Sequence, residues 1–139
     1  MDKKRTTELL LFLQKAIADN LIVATPCKYI SASFMVPRSD PNKPYRCVID
    51  YRTLNKDTER FDSNLPRVDD LKHFAANGHI YSKFDISSGF HHLSVDEQTI
   101  SLLGFTTPVG VYSWLKSPMG TKYDINTYIS TAFNHRPIN

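Results

Sequence analysis

Three kinds of chemically useful group stand within residues 85–90 of the run Tyr81-Ser82-Lys83-Phe84-Asp85-Ile86-Ser87-Ser88-Gly89-Phe90-His91-His92-Leu93. Asp85 follows an apolar stretch and offers the hard carboxylate oxygens that a divalent cation prefers. Ser88-Gly89 is a small pair whose backbone amides suit a close approach to phosphate. Phe90 supplies a flat ring able to floor a sugar pocket. A metal-binding acid, a phosphate cradle and a sugar platform are the components of nucleotide transfer. Each residue also has a plainer reading. A strand-end Asp caps the next helix, Ser-Gly makes an ordinary turn, and Phe packs in a core. His91 and His92 are adjacent, which suits joint metal ligation poorly, and they read as surface residues.

Such groups need elements to hold them. Residues 79–84 read as a strand that delivers Asp85 to its end. Before it, Val68, Leu71 and Ala75 form a helical stripe that closes at Asn77-Gly78. Nearer the start, Leu9, Leu13, Ala16 and Ile17 predict a helix over 6–19, with Thr6 or Thr7 as N-cap and Asn20 as terminator. Residues 29–36 and 45–52 read as strands around a turn rich in Pro, Asn and Asp. In the second strand, Cys47, Ile49 and Tyr51 alternate with Arg46, Val48 and Asp50, so Arg46 and Asp50 share the outer face. Residues 54–65 look irregular, a surface connection. A short helix over 96–101, a hairpin of 102–106 with 111–115, and a helix over 123–134 complete the expectation.

The chain has 139 residues, enough for one domain with a core, and its 41% hydrophobic and 22% charged content argues against wholesale disorder. Its two cysteines, Cys27 and Cys47, are too few for a disulfide scaffold and lack a zinc or redox spacing. A reducing, intracellular setting follows as the expectation. The apolar run at 9–13 is too short to cross a bilayer, so no membrane partner is expected. Net charge is +3, yet residues 1–60 hold 11 Lys and Arg against 7 acids, whereas 61–139 hold 6 against 7. A basic front suits phosphate contact, and it is equally the composition of a solvated face.

Four further motifs lie in order around the Asp85 run. They are Arg46-Cys47-Val48-Ile49-Asp50-Tyr51-Arg52-Thr53-Leu54-Asn55-Lys56, Asn64-Leu65-Pro66-Arg67-Val68-Asp69-Asp70-Leu71, Phe105-Thr106-Thr107-Pro108-Val109-Gly110, and Ser117-Pro118-Met119-Gly120. In this order and spacing, over roughly residues 8–134, the chain resembles the reverse transcriptase of gypsy-type LTR retrotransposons and related retroelements. The resemblance implies an α+β fold, part of the polymerase right hand. A fingers hairpin would occupy about 1–66 and an incomplete palm sheet with packed helices 67–139. It implies RNA-directed DNA synthesis by two-metal nucleotidyl transfer, with magnesium or manganese (Mg2+ or Mn2+) as cofactor. The implied partners are an RNA or DNA template-primer, deoxynucleoside triphosphates and the remainder of a polyprotein. The implied location is the cytoplasm or a virus-like particle, with the nucleus as a further option.

The resemblance also assigns residues. Asp85 matches the first catalytic aspartate, with the Ile86 carbonyl as a further metal ligand. Arg38, Arg46, Ser88, Gly89, Phe90 and Met119 fall at nucleotide-binding positions, and Asp50, Arg52, Asn55 and Gly120 at template-binding positions. Phe90 matches an aromatic, more often Tyr in the family, that clashes with a ribose 2′-OH and so selects deoxynucleotides. Arg38 stands where a Lys is usual, and Met119 where Phe or Gln is common. Asp50 and Arg52 on one strand could equally form a local salt bridge. The family's Tyr-X-Asp-Asp turn, which carries the second carboxylate pair, occurs nowhere in the 139 residues. The expectation is therefore a piece of a reverse transcriptase, inactive alone. The alternatives are a non-catalytic nucleic-acid-binding module and an inactive remnant.

Overall fold

A computed structural model describes residues 3–59 and 67–122 of the chain. The first helix, α1 (Lys3–Ala18), begins before the expected Thr6 or Thr7 cap. It presents Leu9, Leu13 and Ala16 to the core at helical spacing, while Ile17 remains exposed. Its end is set by Asn20, whose φ of 53° is tolerated because Asn, like Gly, accepts the left-handed region. There the Leu21 N–H reaches the Ala16 carbonyl at 2.8 Å and the Asn20 N–H the Ile17 carbonyl at 3.0 Å, which satisfies two orphan acceptors.

Five strands form one sheet: β1 (Ile22–Ala24), β2 (Ile30–Pro37), β3 (Tyr45–Ile49), β4 (Gly104–Thr107) and β5 (Gly110–Trp114). Their spatial order is β1-β5-β4-β2-β3, with β2 and β4 parallel and every other pairing antiparallel. The expected fingers hairpin is β2–β3, in which Met35 faces Cys47 and Val36 faces Arg46. Alternation works as read: Tyr45, Cys47 and Ile49 pack toward the core, and Arg46 points to solvent. Phe105, wholly buried in β4, lies at the centre of an aromatic group with Tyr112 and Trp114 at ring distances of 6.1 and 6.0 Å. Leu9, Leu13, Ile22, Met35, Tyr51 and Leu103 complete most of this core, each burial contributing about 1.5–3 kcal/mol for the larger side chains.

Four shorter elements connect or flank the sheet. They are α2 (Arg52–Asp57), α3 (Val68–Ala75), a 3-10 turn at Gly89–His92, and α4 (Glu97–Ile100). The mixed α+β class is as expected. Three local expectations are corrected. Residues 54–57 are helical, because Tyr51 is buried and seats the start of α2 against the core. Residues 79–84 form no strand; they run without regular structure, and no neighbouring described strand offers a ladder. The stripe of α3 is uncovered, with Val68 66% and Leu71 53% exposed, and Phe74, Ile80 and Phe84 are each about 90% exposed. The expected helix over 123–134 lies outside the described residues. Among the described residues, no helix is long and apolar enough to cross a membrane.

Candidate nucleic-acid interface

Asp50 and Arg52 form the best-defined charged pair of the molecule. The Arg52 Nε donates to Asp50 Oδ1 at 2.8 Å and Nη2 donates to Oδ2 at 2.6 Å, while the Arg52 N–H reaches Oδ1 at 3.1 Å. This bidentate grip fixes the plane of a guanidinium whose side chain is still 86% exposed. The Arg52 hydrogen bonds hold the Asp50 carboxyl down to about 2, and the same contact raises the Arg52 guanidinium. Both the local ion pair and an outward-facing cation are therefore present: the acid orients and the arginine is displayed. Buried Tyr51, between them, donates its hydroxyl to the Leu103 carbonyl at 3.1 Å and locks the pair's backbone to the sheet.

Beside this pair, Lys28, Tyr29, Asp50 and Thr53 help to line a hollow of ≈ 420 Å³. The Tyr29 hydroxyl donates to Asp57 at 3.0 Å, and that acid pushes the phenol's pKa up. Sequence reading passed over Lys28 and Tyr29, which match no motif and meet Asp50 only because the chain entering β2 runs beside the end of β3.

Arg38 and Arg46 stand at the far end of the hairpin. The Arg38 N–H bonds to the Pro44 carbonyl at 2.7 Å, and Arg46 is opposite Val36 in the ladder, so the hairpin brings the two arginines near each other. Among the described residues neither is engaged in an ion pair, which leaves both forks open to phosphate oxygens.

The Ser88-Gly89-Phe90 stretch is a tight turn. Ser88 has φ of 53°, a conformation costly for a residue with a Cβ, and its carbonyl accepts the His91 N–H at 2.9 Å. His91 is no surface residue; its ring stacks on Trp114 with centroids 5.4 Å apart. Phe90 is half-buried. From there the chain runs along the Ser117-Pro118-Met119 segment. The Val95 N–H bonds to Leu115 O at 3.2 Å and the Ser117 N–H to Leu93 O at 2.9 Å, with Ser94 opposite Lys116. The stretch that follows Phe90 and the one that precedes Met119 are thus joined by a short bridge. Met119 is 63% exposed, whereas Pro118 is fully buried. Asn55 and Gly120 are joined directly, the side-chain Nδ2 donating to the Gly120 carbonyl at 2.8 Å.

Asp85 and Ile86 are exposed in the irregular segment and are not drawn to any other site residue by a described contact. Among the described residues no group of three or more His, Cys, Asp or Glu is arranged to hold a metal ion. Asp85 with one backbone carbonyl falls short of the several oxygens that magnesium requires. The residues present therefore do not fit a complete metal site.

Known proteins resemble this chain in sequence and in fold. Residues 36–135 match the family model described as reverse transcriptase (RNA-dependent DNA polymerase). The Pol polyprotein of transposon 412 from Drosophila melanogaster is 34% identical over 120 residues, covering 84% of this chain and 10% of that protein. A putative enzymatic polyprotein of Cassava vein mosaic virus is 38% identical over 95 residues, covering 67% of this chain and 15% of its own. Among solved structures, a foamy viral protease-reverse transcriptase in complex with RNA/DNA hybrid superposes with a TM-score of 0.76 at 15% identity, covering 96% of this chain and 18% of that one. The same kind of protein in complex with dsDNA gives 0.73 at 14% identity, covering 99% and 29%. The chain spans between 10% and 29% of the length of these relatives.

Proposed function

We propose, starting from the fact that this chain belongs to the reverse transcriptase (RNA-dependent DNA polymerase) family, that its 139 residues supply the template-facing and nucleotide-facing surface of such an enzyme. The observation that carries this reading is the Asp50–Arg52 pair, a cation held in a fixed plane yet left open to solvent. A guanidinium so held loses little further freedom when it meets a phosphate. In this reading Arg52 contacts the template backbone, Asp50 positions it, and Arg38 and Arg46 take the triphosphate of a deoxynucleotide. The Ser88-Gly89 amides cradle that triphosphate, and Phe90 and Met119 border its sugar and base. Residues 1–66 act as fingers and 67–139 as part of a palm, inside the cell or in a virus-like particle, joined to the rest of a polyprotein.

Magnesium or manganese would neutralise charge on the transferred phosphates once Asp85 is joined by further carboxylates. The described residues do not by themselves make up its site. These 139 residues alone are expected to bind nucleic acid without extending a primer.

The test is fluorescence anisotropy of the whole chain with a 5′-overhanging RNA/DNA hybrid between about 50 and 200 mM salt. Binding should weaken as salt rises, and Arg52→Ala should flatten the salt dependence by about one counterion. Asp85→Asn should leave binding unchanged. Salt-independent binding, or none, sinks the reading. The exposed Val68, Leu71, Phe74, Ile80 and Phe84 favour a second reading, an inactive remnant that associates through apolar surface. Concentration-dependent self-association without hybrid binding would select it.

A further inference from the structure

Asn55 lies on α2, three residues after Arg52, and both ends of its side-chain amide are engaged. Its Nδ2 donates to the Gly120 carbonyl at 2.8 Å, and its Oδ1 accepts the Lys122 N–H at 2.8 Å. The orientation of the amide follows from its partners, because a carbonyl requires a donor and an N–H requires an acceptor. One side chain thereby satisfies a backbone carbonyl at residue 120 and a backbone N–H at residue 122. Thr121, between them, is buried at 6% exposure, and Gly120 turns the chain at φ of 101°, where a Cβ would be strained. The other end of the turn is fixed by the Ser117–Leu93 bond. The Asn55 N–H returns to the Tyr51 carbonyl at 2.8 Å, and Tyr51 is pinned to Leu103, so the clamp is anchored in the core.

We propose that Asn55 is a positioning residue. It fixes the Met119–Gly120 turn relative to the helix that carries Arg52. The distance between the template cation and the exposed Met119 side chain is then set by one amide. This inference rests on the template-binding reading above for its functional consequence, and on the two hydrogen bonds for its geometry.

The experiment uses the whole chain. Amide hydrogen exchange at Lys122 and the NMR resonance of the Met119 methyl are followed in wild type, Asn55→Ala and Asn55→Asp, the last keeping an acceptor for Lys122 while losing the donor for Gly120. Asn55→Ala should speed Lys122 exchange about tenfold and shift the Met119 methyl, with Asn55→Asp retaining part of the Lys122 protection. Anisotropy with the 5′-overhanging RNA/DNA hybrid supplies the functional arm. Asn55→Ala should weaken binding several-fold in wild type and add nothing in an Arg52→Ala background, because it acts through the placement of Arg52. Unchanged Lys122 exchange overturns the clamp. Full additivity with Arg52→Ala overturns the positioning role and makes Asn55 a direct contact. If Lys122 and Met119 respond while no variant, wild type included, binds the hybrid, the clamp is upheld and the template-binding reading fails.

Discussion

Gly104→Ala offers a demanding check on how β2 and β4 are joined. A Cβ at Gly104 would lie 2.5 Å from the Cys27 Cβ, 2.5 Å from the Tyr29 carbonyl oxygen and 2.7 Å from the Cys27 Sγ. Carbon atoms rest at about 3.5–4.0 Å, so the two segments must part by roughly 1 Å. The Cys27 thiol can swing aside, but the Tyr29 carbonyl is backbone and cannot. Gly104 is opposite Ile30 in the parallel ladder and precedes fully buried Phe105, so the displacement is felt in the core. Overpacking of this kind costs about 1–3 kcal/mol, and the lower unfolded-state entropy of Ala returns about 0.4–1 kcal/mol. A net loss of about 1–2 kcal/mol lowers Tm by roughly 4–10 °C in a domain of this size. Thermal and urea unfolding of the purified chain measure it, with Cys27→Gly made in both backgrounds. Cys27→Gly removes two of the three overlaps, so the cost of Gly104→Ala should shrink there without vanishing. A cost under about 0.5 kcal/mol, or effects that add with no coupling, would refute the close approach of these segments.

Other consequences are open to direct measurement. The Asp50 carboxyl should titrate near 2 by NMR, and Arg52→Ala should return it toward about 3.9. Because its folded value is depressed, the stability it contributes is present above about pH 4 and is lost as pH falls toward 2. Burial pushes the Cys47 thiol up to about 11, so it should alkylate slowly at pH 8 in the native chain and quickly after denaturation; equal rates would contradict its burial. Tyr51→Phe removes the bond to the Leu103 carbonyl and should cost about 1–2 kcal/mol in urea unfolding, a null effect showing that the hydroxyl does not anchor α2.

Local periodicity carried much of the fold. The spacing of Leu9, Leu13 and Ala16 gave one face of α1, and alternation from Arg46 to Ile49 gave the two faces of the hairpin. These signals are legible because each is written within a few residues of the element it specifies. The segment 68–86 shows the limit. An apolar stripe announces that a face should be covered, but it does not name the cover, and among the described residues that face is open. His91 read as a surface residue because adjacent histidines suggested nothing else, and only Trp114, distant in sequence, explains its position.

The order of motifs by itself determined the family and which residues are candidates for chemistry, since short patterns in sequence need no coordinates to be counted. Only the tertiary structure decided what those residues are free to do. It put β2 parallel to β4 and engaged both ends of the Asn55 amide with a turn some 65 positions away. A side chain's availability depends on which donors and acceptors surround it, and those are supplied by segments that the chain brings together only on folding.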